Sequence, residues 1–226
     1  MNYYANTDIG RVRSKNQDQA MVIVNIKDQI VAVVCDGMGG HRSGEIASRV
    51  VIEHVMSCFN CIPPFDNDIE VKKWLQDTIE EANIIVKKMA MQNEEHRGMG
   101  TTIVIAVFMN GMLYISHVGD SRAYVFKNDE LIQVTMDHTL VNELIERGVI
   151  SEEEGKNHSQ KHVLTQAIGA DTKLTPSLIE LEFADSLLLL CSDGLYNTLD
   201  NEKIISVLKK DVKVTDMVNG LIDLAN

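Results

Sequence analysis

Apolar positions along this chain repeat with two periods, and the period changes from segment to segment. Ala20 to Val24 and Ile30 to Cys35 are short apolar runs either side of a turn at Lys27-Asp28, which predicts a strand pair. From Gly44 to Phe59 the apolar residues Ile46, Ala47, Val50, Val51, Val55 and Phe59 fall on one helical stripe. A longer stripe follows from Asp68 to Gln92, through Trp74, Leu75, Ile79, Ala82, Val86 and Met89, and predicts a helical hairpin layer. The texture then returns to strands. Thr101 to Met109 and Met112 to Val118 flank Asn110-Gly111, a strong hairpin signal. Arg122 to Phe126 and Leu131 to Val134 flank Asn128-Asp129 in the same way.

Leu140 to Arg147 reads as a short helix, and Ser151 with Glu154 as a capping box opening another. Ile179, Leu181 and Phe183 alternate with Glu180 and Glu182, so that strand has one wet face. Ser186 to Cys191 is nearly all apolar and predicts a strand buried on both faces. Asn201 to Lys209 and Val214 to Leu224 read as closing helices. Hairpins dominate and long βαβ spacing is absent. The expected fold is α+β, with mainly antiparallel sheets and helices laid on them, in a single domain over residues 1–226.

Composition narrows the function. Apolar residues at 45% and charged residues at 24% are those of a globular chain, which excludes disordered, collagen-like and mucin-like classes. Acids outnumber bases 33 to 21, a net charge of -12, so a basic footprint for nucleic acid or an anionic membrane is missing. Phosphate chemistry remains open through bound cations. The longest apolar runs, such as Ile103 to Met109, fall far short of the roughly 20 residues of a membrane span. The first residues lack the basic stretch and apolar core of a secretory signal. Four cysteines are too few to staple a chain of 226 residues, and a reducing cytoplasm is the expected compartment. Cys58 and Cys61 form a lone CxxC before Pro63-Pro64. A zinc site would want a second pair or two spaced histidines, so the pair reads as a helix end.

The informative pattern is an apolar strand that ends in an acid and a glycine. Ile30 to Cys35 runs into Asp36-Gly37, and Leu187 to Ser192 runs into Asp193-Gly194. Asp120 follows a third strand at Val118-Gly119. A carboxylate at the end of a buried strand is costly unless a charge sits against it. Several together suit hard divalent cations, Mg²⁺ or Mn²⁺, with oxygen ligands. Any one Asp-Gly alone reads as a turn, and spacing does not separate a metal site from a set of hairpins. Near the start, Thr7 to Asp18 is polar and charged. Arg13 offers a planar fork for phosphate there, although composition alone favours a solvated loop.

These residues carry a resemblance. Thr7-Asp8-x-Gly10, Arg13-Ser14-x-Asn16-Gln17-Asp18, Asp36-Gly37-Met38-Gly39-Gly40-His41, Gly100-Thr101-Thr102, Val118-Gly119-Asp120-Ser121-Arg122 and Cys191-Ser192-Asp193-Gly194 occur in one order. Asp137-His138-Thr139 and Val163-Leu164-Thr165-Gln166-Ala167-Ile168-Gly169 follow the same pattern. Together they resemble the metal-dependent protein phosphatases of the 2C type, in their small bacterial serine/threonine branch. The resemblance implies a central antiparallel β-sandwich flanked by helix pairs. It implies a binuclear Mn²⁺ or Mg²⁺ centre that hydrolyses phosphoserine and phosphothreonine in proteins through a metal-bridging water. By the same resemblance Asp36 bridges the two metals, the Gly37 carbonyl binds one and Asp193 the other. Asp120 helps hold a looser third metal, Arg13 grips the phosphate, and Asp18, with Gln17 beside it, orients water. The implied partners are phosphoproteins made by a serine/threonine kinase, met by a cytoplasmic monomer.

The chain departs from that pattern in two places. Met38 stands where eukaryotic members carry a His proposed as leaving-group acid, and His41 reads as a structural side chain. Beyond Asn226 the pattern would continue with Gly-Gly-x-Asp-Asn and a last strand, whose Asp ligates the same metal as Asp193. The expectation is a working protein that extends past Asn226. The alternative is a catalytically impaired phosphatase fold used as a binding module. The flap, residues 137–169, holds His138, His158 and His162, each read as part of a solvated lid.

Overall fold

A computed structural model describes residues 1–39 and 43–226; Gly40, His41 and Arg42, and with them any role of His41, lie outside the described residues. Among the described residues nine strands form two antiparallel sheets. The first contains β1 (Asp18–Val24), β2 (Ile30–Met38), β3 (Gly100–Thr101), β4 (Ile103–Met109), β5 (Met112–Val118) and β8 (Ser177–Glu182), in the order β1-β2-β4-β5-β8 with β3 beside the end of β2. The second contains β6 (Arg122–Lys127), β7 (Glu130–Gln133) and β9 (Leu187–Cys191), in the order β7-β6-β9. Helices α1 (Ser43–Asn60) and α2 (Asp68–Gln92) precede β3. The short α3 (Leu140–Glu146) and α4 (Glu152–Lys156) lie in the flap, and α5 (Asp193–Tyr196), α6 (Asn201–Leu208) and α7 (Val214–Ala225) follow β9.

The period of two along each strand builds the layers. On β4, Ile103, Ile105 and Val107 join Val51, Val55, Leu75 and Ile79 of α1 and α2 in one core. Their neighbours Val104 and Ala106 face the other way, into a second core with Ala123, Leu188 and Leu190 of the opposite sheet. On β9, Leu187 and Leu189 turn outward again and pack with Ile204, Val207 and Leu221 of α6 and α7. The result is helix pair, sheet, sheet, helix pair. Phe59, Phe65 and Trp74, with ring centroids 5.5 to 6.0 Å apart, close the far end of the α1–α2 layer.

The turn chemistry is as the sequence predicts. Asn110 and Gly111 take φ of 52° and 78°, and Asn128 and Asp129 take 50° and 68°, the left-handed pair that a two-residue hairpin requires. Ser151 and Glu154 form the reciprocal capping box. The expectation for β9 is corrected. Leu187 to Leu190 are only partly buried, because among the described residues β9 pairs with β6 alone. Its other edge borders a groove of about 1030 Å³ that reaches Phe108, Leu113 and Leu221.

Candidate metal centre

Four carboxylates meet at one end of the sandwich, two from each sheet. Antiparallel register sets Asp18 of β1 directly opposite Asp36 of β2, and their carboxyls share a hydrogen bond. Asp120 stands on the loop between β5 and β6, and Asp193 opens α5 just after β9. Both lie close enough for their charge to act on Asp36. Ser192 fastens the halves together, its hydroxyl donating to Asp18 Oδ2 at 2.5 Å.

The backbone around Asp36 is held on every side. Its N–H donates to Thr102 Oγ1 at 2.9 Å, and its carbonyl accepts from the Thr102 N–H and the Thr101 hydroxyl, each at 2.9 Å. Thr102 Oγ1 also meets Ser121 Oγ at 2.7 Å. Thr101 in turn exchanges two backbone hydrogen bonds, of 3.1 and 2.9 Å, with Ile168 at the end of the flap. At Gly37 the start of α1 comes so close that a Cβ would lie 2.1 Å from the Gly44 carbonyl oxygen, so only glycine fits. The Gln17 carbonyl accepts from Gly37 N–H at 3.1 Å and from the Ser48 hydroxyl at 2.6 Å, which anchors the segment that leads into Asp18.

Asp120 is 8% exposed. The Tyr196 hydroxyl donates to its main-chain oxygen at 3.0 Å and lies 3.3 Å from Oδ2. The Arg122 guanidinium sits 3.5 Å over the Tyr196 ring and forks onto Asp137 at 2.9 and 2.7 Å. That cation is therefore committed to Asp137 rather than to the quartet. Arg13, on the exposed loop before β1, lies close enough for its charge to favour the ionised form of Asp18, weakly.

Among the described residues the four acids chiefly repel one another, with Arg13 a weak opposing charge on Asp18. Burial first, then Asp18, Asp193 and Asp120, push the Asp36 carboxyl up to about 9. Burial, then Asp193 and Asp137, raise Asp120 to about 6, and burial raises Asp18 against the opposing Ser192 hydrogen bond. A set of hard oxygen donors that disfavours its own ionised form fits divalent cations of the Mg²⁺ or Mn²⁺ class. A linkage prediction follows. Folded values raised above the ordinary 3.8 stabilise the metal-free fold at low pH, and that stability is lost as pH rises through about 6 and then about 9. Metal-free protein should therefore melt at lower temperature near pH 8 than near pH 5, and the rise in Tm on adding Mn²⁺ should be larger near pH 8. Calorimetric melts with chelator and with Mn²⁺ check both.

One expectation needs correction. His138 is not a solvated lid side chain. It stacks on His117 with centroids 4.6 Å apart, accepts from Gly119 N–H through Nδ1, and bonds Ser177 Oγ through Nε2. Burial, then His117, lower it to about 4, so it is neutral near pH 7 and pins the turn before Asp120. The thiols beside the acids are inert: burial raises Cys191 to about 12 and Cys35 further still. Sequence reasoning gave no role to Tyr196, or to the fork of Arg122 on Asp137, because no spacing rule links residues joined only by the fold.

The model of the protein phosphatase 2C family matches residues 10–221. The chain is 37% identical over 221 residues to the serine/threonine phosphatase stp of Listeria innocua, covering 97% of this chain and 88% of that protein. It superposes on the Streptococcus agalactiae serine/threonine phosphatase with a TM-score of 0.92 at 36% identity, over 98% of this chain and 91% of that one. The catalytic domain of the phosphatase PstP, solved in complex with two manganese ions, superposes with a TM-score of 0.81 at 31% identity, over 97% of this chain and 89% of that one. A match across nearly the whole length, on a sandwich with its acids gathered at one end, places this chain in the protein phosphatase 2C family.

Proposed function

We infer that this chain is a metal-dependent serine/threonine protein phosphatase, hydrolysing phosphoserine and phosphothreonine in protein substrates. The observation that carries the reading is the quartet of Asp18, Asp36, Asp120 and Asp193, drawn from both sheets, in which burial and mutual repulsion push Asp36 and Asp120 toward their protonated forms. Asp36 and Asp193, with the Gly37 carbonyl, would hold the inner Mn²⁺ or Mg²⁺ pair, and Asp120 a third, more loosely bound ion. Bound divalent cations supply an activated water near neutral pH and spread the charge of the transferring phosphoryl group. Asp18, fixed by Ser192, orients the attacking water. Arg13 presents its fork to the phosphate oxygens from the exposed loop. Met38 donates no proton, so the leaving alkoxide takes its proton from water or another group. A serine/threonine kinase as the source of substrates, a monomeric state and a cytoplasmic location complete the reading. No helix among the described residues is long and apolar enough to cross a membrane, which is compatible with that location.

The test is hydrolysis of a phosphothreonine peptide. Release of phosphate should require Mn²⁺ or Mg²⁺, stop with chelator, and survive alkylation of accessible thiols. Chelator-resistant turnover would sink the reading. Arg13→Ala should raise KM roughly ten- to a hundredfold, the loss of about 1.5–3 kcal/mol from a charge-assisted contact, with Mn²⁺ stoichiometry unchanged by calorimetry.

A further inference from the structure

A second group of metal-ligating side chains lies on the helical layer, away from the acid quartet. His54 and Cys58 stand four residues apart on one face of α1, and Glu81 faces them from α2. Cys58 Sγ is 3.4 Å from His54 Nε2, His54 Nε2 is 3.4 Å from Glu81 Oε2, and Cys58 Sγ is 4.0 Å from that same oxygen. Zinc bound tetrahedrally by one sulfur at about 2.3 Å, one nitrogen at about 2.0–2.1 Å and one oxygen at about 2.0–2.2 Å leaves roughly 3.3–3.6 Å between its ligands. Two of the three separations already match. The third closes with a small movement of Glu81, whose side chain is 60% exposed and free to make it.

We propose that His54, Cys58 and Glu81 form a zinc site that clips α1 to α2, with water in the fourth position. The lone CxxC looked like a helix end because its partners are hidden from sequence: one lies four residues upstream and the other on the next helix. Cys61 follows the last turn of α1, where its N–H donates to the Ser57 carbonyl at 3.1 Å, and it stands outside this group. The mixed sulfur, nitrogen and oxygen donors favour Zn²⁺ over the Mg²⁺ or Mn²⁺ suited to the all-oxygen quartet. Thr78 of α2 accepts a hydrogen bond from the His54 ring through its main chain, the outer support that a ligating imidazole requires. Burial holds His54 neutral, with its ring nitrogen available to metal, while the Cys58 proton must leave on binding. Fourteen residues of helix separate Gly44, which packs against Gly37, from Cys58, a distance of about 21 Å along the axis, so the two sites are far apart.

The experiment uses Co²⁺ as a spectroscopic stand-in, since a thiolate bound to Co²⁺ gives a near-ultraviolet charge-transfer band that carboxylate ligands do not. The band is expected in wild-type protein and in Asp36→Asn, and absent in Cys58→Ser and in His54→Ala. Added Zn²⁺ should abolish it, and should raise the Tm of Asp36→Asn but not of Asp36→Asn carrying Cys58→Ser. Melting of the single variants without metal confirms that they fold. No band in wild-type protein, or a band that persists in Cys58→Ser, would overturn the proposal.

Discussion

Asp36→Asn is expected to cut turnover of a small aryl phosphate by at least about a thousandfold at saturating Mn²⁺, more than the loss of one transition-state hydrogen-bond donor costs elsewhere. The side chain is isosteric, so the clasp of Thr101 and Thr102 on the Asp36 backbone survives the change. What disappears is the carboxylate that faces Asp18, Asp193 and Asp120 together. The same substitution removes a carboxyl that the metal-free fold must keep protonated near pH 8, at a cost in stability. Its metal-free Tm near pH 8 should therefore equal or exceed that of wild type, while the rise on adding Mn²⁺ shrinks. A dead enzyme that is no less stable without metal separates loss of a ligand from loss of fold. Wild-type turnover in Asp36→Asn would remove Asp36 from the metal centre.

Arg122→Ala should be the most damaging change to stability outside the two cores, at about 3–5 kcal/mol, because it strands a buried carboxylate. Asp137 is 8% exposed and takes both arms of the guanidinium. Tyr196 loses the cation over its ring in the same step, and with it part of the wall beside Asp120. Arg122→Lys keeps the charge and loses the fork, so it should fall between. Urea denaturation of the three proteins, read at constant m-value, measures the order.

The parts of this molecule legible in its sequence are those fixed by neighbouring residues. Asn110-Gly111 and Asn128-Asp129 announce their hairpins because the left-handed backbone there selects those residue types. The helical stripes of α1 and α2 are equally local. Asp36-Gly37 and Asp193-Gly194 stand out in the sequence as acids ending apolar strands, although spacing alone does not part them from turns, and the order of motifs names the family. What sequence hides is whatever depends on a strand's neighbours. Leu187 to Leu190 look like a strand buried on both faces, yet their exposure is set by what lies beside β9, which no periodicity reports. His138 looks like a lid residue because its stacking partner, His117, is 21 positions away. The Arg122–Asp137 fork and the His54–Cys58–Glu81 group are hidden for the same reason: each is a coincidence in space between elements whose spacing in the chain is arbitrary.

The paired backbone bonds between Thr101 and Ile168 tie the flap to the residue whose hydroxyl holds the Asp36 carbonyl. A protein substrate that presses on residues 137–169 is thereby pulling on the frame of the acid quartet. Discrimination among phosphoproteins can then be written into the speed of the chemical step as well as the tightness of docking. Two substrates that bind equally well can turn over at different rates, because only one seats the flap so that Asp36 is held in register. Substitutions far out on the flap become a way to retune which phosphoproteins are processed, while every residue that faces the phosphate stays the same.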